Sequence, residues 1–359
     1  MGKPRVGIVG VGWGALVHTP GFRAAGYDVV ALCSRNRERV EKAGEKLGIA
    51  DRSTDWRSFV RRDDLDIVSV ATPVDLHVEV ALAALAAGKH VLCEKPVALD
   101  ASSARDLYQA AAGSGRATAV AHQLRWLGAR YAIWQQARAG FLGTPYYLRI
   151  TQSAGYWHPS RHTQSEWMYK RGEGGGYLMG LQSHDIDYAM ALLGEPVAVC
   201  ADLKTTIGRR TLPDGREIDV DADDTGTLLL RMRSGATAVL SSCVVGAHVL
   251  SDSLEAFGSD GTIVMGWDGV IRQARASDAG LAVLEPSARE PVSGPVTGKA
   301  FSTRAIRALA LMLEDWMPAF SGKPTPTVPS LREAWIEHQV IDAAWKSSAG
   351  AGWVGVDAA

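Results

Sequence analysis

The sequence predicts an α/β molecule: a doubly wound parallel sheet in the N-terminal third, then an α+β domain whose open sheet is predominantly antiparallel. Three observations predict it. The chain has 359 residues, more than one ordinary core holds, so two domains are expected. Its first third alternates short, continuously apolar runs with helical stretches, as parallel strands covered on both faces do. After about Leu124 the runs become alternating and are separated by turn residues, as in antiparallel sheet. The expected division is 1–124 for the first domain and 125–359 for the second.

Each element has its own reason. Arg5–Val9 is an apolar run ending at Gly10, and a helical stretch follows to about Ala25. Asp28–Cys33 is the second strand, and Asn36–Leu47 is a charged amphipathic helix. Asp66–Ala71 reads as a buried strand, followed by a helix over Leu76–Ala87 that Gly88 stops. His90–Cys93 is a strand, Asp100 caps a helix to about Gly113, and Ala117–Ala121 is one more strand. Right-handed crossovers wind these strands into one sheet with helices on both faces. Beyond, a helix over Gly128–Ala139 leads to a strand over Pro145–Ser153. An aromatic and polar loop over Gly155–Glu173 leads to the Gly174-Gly175-Gly176 run and a helix to about Leu193. Successive strands fill Val197–Met265, with Thr225–Met232 and Ala236–Cys243 joined as a hairpin by Ser234-Gly235. Residues 285–299 form a Pro/Gly/Ser-rich loop, and helices near Thr303–Ser321 and Ser330–Ser347 close the chain.

Composition narrows the function. A net charge of −1 and no polybasic run argue against nucleic acid and acidic membrane surfaces as partners. Cys33, Cys93, Cys200 and Cys243 are widely spaced and form no CxxC, so zinc is not expected and buried free thiols are. These thiols, a strand starting close to the N-terminus and the lack of a run of ~20 apolar residues lead us to expect a cytoplasmic protein.

The strongest local signal is Gly10-Val11-Gly12-Trp13-Gly14-Ala15, a G-x-G-x-x-A turn between a strand and a helix. There Gly10 allows the tight turn, Gly12 lets the backbone approach a pyrophosphate, and Ala15 keeps the helix close to the sheet. The helix N-terminus offers free N–H groups to phosphate. This is a Rossmann dinucleotide site. Leu32-Cys33-Ser34-Arg35-Asn36 ends the second strand with no carboxylate for a ribose 2′-hydroxyl. Ser34 and Arg35 suit a 2′-phosphate, so NADP(H) is expected over NAD(H), which stays the alternative.

Leu92-Cys93-Glu94-Lys95-Pro96, taken with Ala71-Thr72-Pro73, His77 and Ala87-Gly88-Lys89-His90-Val91, resembles the Gfo/Idh/MocA family of oxidoreductases. The resemblance runs on through Gly174–Gly176, His184, Asp187 and the C-terminal helices. It implies a catalytic, substrate-orienting Lys95, with Glu94 near the cofactor ribose and a cis peptide before Pro96. A lysine at the carboxyl end of a parallel strand can polarise a carbonyl or stabilise an alkoxide. With the glycine turn, Ser34 and Arg35, the cofactor set then includes Thr72, Pro73, His77, Glu94 and Lys95. In polyol dehydrogenases of this type an aspartate and a histidine four residues apart form an acid/base pair. His184 matches the histidine, but Gly180 stands in the aspartate's place. Tyr177, Gln182 and Asp187 are the candidates to replace it. Arg125 and His122 border the expected site, and Tyr156, Trp157, His158, His162 and Trp167 could stack on a sugar. The substrate set is therefore Lys95, Arg125, Trp157, Gln182, His184 and Asp187. The three loop and helix histidines match no metal-ligand spacing, so no metal is expected.

The function expected is hydride transfer to or from a sugar, cyclitol or related hydroxy or keto substrate, with Lys95 and His184 catalytic. Two alternatives stay open: a redox-neutral, NAD-dependent cleavage of glycosidic bonds, and a non-catalytic cofactor-binding protein. A homo-oligomer, dimer or tetramer, through the C-terminal sheet is the expected assembly.

Overall fold

The structure, a computed structural model, describes residues 2–155, 157–160, 165–248, 251–284 and 299–357. By its contacts the chain divides into two units, Met1–Leu127 with Thr297–Trp335, and Gly128–Val296 with Ile336–Ala359.

The first unit holds strands β1 (Arg5–Val9), β2 (Asp28–Cys33), β3 (Asp51–Ser53), β4 (Ile67–Val70), β5 (His90–Cys93) and β6 (Thr118–Val120). They pair in the order β3-β2-β1-β4-β5-β6, all parallel, as a doubly wound sheet requires. Helices α1 (Thr19–Ala24), α2 (Arg37–Leu47), α3 (Trp56–Phe59), α4 (His77–Ala86) and α5 (Ala101–Ser114) connect them. The caps are local and explicit. The Asn36 side chain accepts from the Arg39 N–H, and the Asp100 carboxylate accepts from the Ser103 N–H. Val68, Val70, Val91 and Cys93 from the sheet meet Val80, Ala84 and Leu107 from α4 and α5 in one buried cluster. Each valine or leucine among them contributes about 1.5–3 kcal/mol by leaving water. The sequence reading missed β3 and α3. The first is three polar residues at a sheet edge, and the second is a single turn, so neither is long enough to show a period.

The second unit begins with α6 (Gly128–Arg138), β7 (Pro145–Ser153) and α7 (Ser183–Leu193), followed by strands β8 (Pro196–Lys204) to β16 (Ala282–Val283). Within that run lie β9 (Arg209–Thr211), β10 (Glu217–Asp219), β11 (Thr225–Met232), β12 (Thr237–Cys243), β13 (Ser251–Gly258), β14 (Gly261–Met265) and β15 (Ile271–Arg275). A nine-stranded sheet runs β16-β15-β14-β13-β7-β12-β11-β8-β17, with β17 at Val354–Gly355, and β9 and β10 pair separately. The predicted hairpin is β11–β12, in register from Thr225↔Cys243 to Arg231↔Thr237. All neighbours in the large sheet are antiparallel except the central β7 and β12. Period-two alternation buries Leu148, Ile150, Leu228, Leu230, Leu240 and Leu254 on one face and turns Leu229 and Phe257 to the other.

The chain closes with α8 (Lys299–Trp316) and α9 (Leu331–Lys346). Ser330 and Glu333 start α9 with a reciprocal capping box, Ser330 N–H to Glu333 Oε2 at 2.7 Å and Glu333 N–H to Ser330 Oγ at 3.2 Å. The sequence division carried both helices with the second domain. By contacts α8 and the start of α9 group with the first unit. Leu309 lies against Gly21, and the Tyr27 hydroxyl donates to the Leu313 carbonyl at 2.8 Å. An apolar stripe on a helix shows that it packs, not on what. Residues 285–298 of the expected loop lie outside the described residues. Among the described residues no helix is long and apolar enough to cross a membrane.

Candidate active site

The glycine turn is built as its sequence implies, with one change of role. Gly10 has φ +106°, and a Cβ there would sit 2.1 Å from the Ala71 carbonyl oxygen, so β1 can turn against the end of β4 only as glycine. Over Gly12 a Cβ would meet nothing within 4 Å. Gly14 is the residue pressed on the sheet, its missing Cβ 2.7 Å from Ile8 Cγ2 and 3.2 Å from Ala71 Cβ. Ala15, to which the sequence reading gave that task, is only half-buried. The cause is a wide π-type turn over Gly14–His18, closed by the Thr19 N–H on the Gly14 carbonyl, which shifts the inward face by one residue. Trp13 is half-buried, its ring 6.1 Å from that of Phe301.

The wide turn delivers His18, which the sequence reading missed, into the sheet with no exposed surface. His18 Nδ1 lies 2.7 Å from Ser69 Oγ on β4, and His18 Nε2 lies 2.8 Å from Glu94 Oε1 at the end of β5. The second Glu94 oxygen accepts the Lys95 N–H at 3.2 Å. Burial opposes the Glu94 carboxylate. The His18 hydrogen bond and the charges of His18, Lys95 and His77 outweigh it and hold the acid below its ordinary range. Lys95–Pro96 is a cis peptide, as the resemblance implies.

His77 starts α4 almost fully buried, and both ring nitrogens face carbonyls, Pro96 O from Nδ1 and Thr72 O from Nε2, each at 2.8 Å. Its ring lies between the loops after β4 and β5, donating to one of the two carbonyls as a neutral imidazole and to both as an imidazolium. Burial pulls its pKa down, against the pull of the two carbonyls and Glu94. Thr72 Oγ1 is buried with no hydrogen-bond partner. The open room over Gly12 and this orphaned hydroxyl, at one end of the sheet beside a helix start, fit an anionic dinucleotide.

Ser34 and Arg35 stand where the 2′-phosphate was expected. Ser34 Oγ accepts the Asn36 N–H at 3.4 Å, and Arg35 is exposed. Arg125 is 3% exposed and pairs with Glu333 at 3.0 Å, so its guanidinium serves the first unit's own packing.

In the second unit the three glycines have separate causes, and Gly174 ends a short turn with a left-handed φ of +82°. A Cβ on Gly175 would strike the Trp167, Met168 and Lys170 carbonyls, and one on Gly176, at φ +103°, would sit 2.2 Å from Asp223 Oδ1. Asp223 Oδ2 accepts the Leu178 N–H at 2.8 Å and caps a second wide turn, Leu178–Gln182, that leads into α7. Burial pushes Asp223 up to about 7 against that hydrogen bond. His184 and Asp187 both lie on α7 and are buried, at 4% and 1% exposure. Between them Asp185 turns to Arg130 at 2.7 Å and accepts the Gln152 amide at 3.4 Å. Burial raises Asp185 to about 6 despite Arg130. None of Asp223, Asp185 and Arg130 was singled out from sequence. Each is a charge in a context that reads as surface until the fold buries it.

Of the three stand-ins for the missing acid, Tyr177 donates to Gln152 Oε1, and Gln182 is fully buried with its amide on the Leu240 carbonyl at 3.2 Å. Both are committed to the second unit's interior. Trp157 is 9% exposed and packs edge-on against Tyr169 and Tyr177, so it is core and no sugar platform. Trp167 is 38% exposed, and His158 bonds Ser160 locally. Tyr156 and His162 lie outside the described residues.

The family model described as the oxidoreductase family with an NAD-binding Rossmann fold matches residues 4–122, and that of the GFO/IDH/MocA C-terminal domain matches residues 132–264. Levoglucosan dehydrogenase of Pseudarthrobacter phenanthrenivorans is 28% identical over 288 residues, 73% of each chain. Myo-inositol 2-dehydrogenase of Thermotoga maritima is 26% identical over 261 residues, 72% of this chain and 74% of that one. A solved levoglucosan dehydrogenase complex with NADH and L-sorbose aligns with a TM-score of 0.87 at 26% identity, covering 99% of this chain and 100% of that chain. The expected preference for NADP(H) is corrected by these structures, which hold NADH. The physical reason lies in the turn. An absent carboxylate does not by itself make a phosphate site, and Arg35 there is only an exposed residue ahead of α2.

Proposed function

This chain belongs to the Gfo/Idh/MocA oxidoreductase family, and from that premise we propose that it moves hydride between NAD(H) and a CH–OH carbon of a sugar or cyclitol. The observation that carries the proposal is the Glu94–Lys95–cis-Pro96 segment in the unit that bears the Gly10–Ala15 turn, its Glu94 anchored by His18. Bound NAD+ supplies the hydride acceptor. The backbone at Gly12–Gly14 receives the pyrophosphate, and Thr72, Pro73, Ser34 and Arg35 border the rest of the cofactor. The Lys95 ammonium draws charge from the substrate oxygen and stabilises it as an alkoxide. His184 takes the hydroxyl proton, and Asp187 binds a further hydroxyl or orients the ring. The kinship with dehydrogenases named for levoglucosan and myo-inositol supports a polyhydroxylated ring as substrate. The same reading carries a cytoplasmic homo-oligomer joined through the sheet face that bears Leu229 and Phe257.

The test is Lys95→Ala, with NAD+-linked turnover followed on levoglucosan, myo-inositol and D-xylose, and NADH binding followed by fluorescence. Turnover should fall by about 10²–10³-fold while NADH affinity stays within a few fold. A variant turning over within twofold of the parent removes Lys95 from the mechanism.

A further inference from the structure

Ser69 is a hydroxyl in the middle of a central strand, between Val68 and Val70, with no exposed surface. A buried hydroxyl is tolerated there only if it is hydrogen-bonded. Its partner is His18, and the other end of the same ring reaches Glu94. Glu94 in turn takes the backbone N–H of Lys95. The line Ser69–His18–Glu94–Lys95 thus runs from the sheet interior, through the wide turn of the glycine motif, to the lysine assigned above. An ionised carboxylate only accepts, so the ring must carry its proton on Nε2 toward Glu94.

We propose that His18 is a positioning residue for Lys95: its Nε2–H fixes the Glu94 carboxylate, whose other oxygen fixes the Lys95 backbone, while Ser69 sets the ring's rotation. The proposal rests on the assignment of Lys95 to hydride transfer. A wide turn at this place supplies the reason for its own existence, since it is what carries residue 18 inward next to Gly14.

Two polar variants separate the two ends of the ring. In His18→Gln the side-chain amide reaches about as far as Nε2 and can still donate to Glu94. In His18→Asn it reaches only about as far as Nδ1 and can still meet Ser69. We expect His18→Gln to keep kcat within about threefold, and His18→Asn to lose about 10–100-fold in kcat with NADH affinity little changed, the cost of a misplaced catalytic group. Equal losses in the two variants, or the reverse order, overturn the proposal. Histidine-selective 15N labelling reads the ring without any assay. A ring protonated on Nε2 in the parent, its proton signal displaced in Glu94→Gln, supports the arrangement, and protonation on Nδ1 alone overturns it. Lys95→Ala keeps the two levels apart. If that variant is inactive while His18→Asn is as active as the parent, positioning by His18 fails and the role of Lys95 stands. If Lys95→Ala is active, the underlying assignment fails.

Discussion

His184 carries the acid–base half of the reading without the aspartate that usually stands four residues before it. Gly180 holds that place, and Tyr177 and Gln182 are tied to Gln152 and the Leu240 carbonyl. Positioned general acid–base work is worth about 10²–10⁴ in rate, so His184→Gln should lose turnover by that order and flatten the pH profile between about 5 and 9. Full activity with an unchanged profile would move the proton to another group. Much of the residue-level site is legible in the sequence where the motif is contiguous: Gly10, Gly12, Lys95 and the cis Pro96 need only their neighbours to be recognised. His18 and Ser69 are not, because their meaning is a contact across 51 positions, and nothing local separates a paired histidine from a packed one. Trp157 misleads for the converse reason. An aromatic residue in a polar loop reads as a platform until the core it fills is seen.

Two of the stretches that bear site residues begin with a wide turn, Gly14–His18 before α1 and Leu178–Gln182 before α7. Such turns add a residue without breaking the helix and so change which side chains face inward. A fingerprint read at fixed spacing takes no account of the extra residue, so it gave Ala15 the inward place that Gly14 holds. The glycines around the second turn make a paired prediction. Gly176→Ala forces a side chain into a left-handed φ and onto Asp223 Oδ1, and should cost on the order of 2–3 kcal/mol. Gly180→Ala meets open space inside the wide turn, at a φ outside the left-handed region, and should gain up to about 1 kcal/mol. Urea unfolding of both variants decides it. Equal midpoints would mean that the capping contact at Asp223 is not holding the segment.

For the whole molecule, two buried acids set a pH dependence of stability. Asp223 is raised to about 7 and Asp185 to about 6, both mainly by burial. Between their ordinary range near 4 and those values the folded chain keeps protons that the unfolded chain has released. Stability from these groups is therefore full below about pH 4 and declines as pH rises toward 7. Asp223→Asn keeps the oxygen that accepts the Leu178 N–H and removes the titration. Its melting temperature relative to the parent should rise from pH 5 and level off above about pH 7, as followed by circular dichroism. A constant difference across that range would show Asp223 to be ionised throughout. At this scale the sequence was most legible. Continuous apolar runs against alternating ones separate the parallel sheet from the antiparallel one, since burial on two faces or on one face is written directly in the residue order. What pattern could not supply is the company that α8 keeps, because an apolar stripe carries no address.

That company bears on how the protein is made. The nucleotide-binding unit has its sheet in Met1–Leu127, but Gly21 and Tyr27 rest on Leu309 and Leu313 of a helix near the other end of the chain. A ribosome releases the sheet early and that helix late, with strands β7 to β16 between them. During this interval Phe22 and Trp126, later fully buried, wait for part of their cover. The nascent first unit therefore keeps an open apolar flank for as long as residues 128–298 are being made.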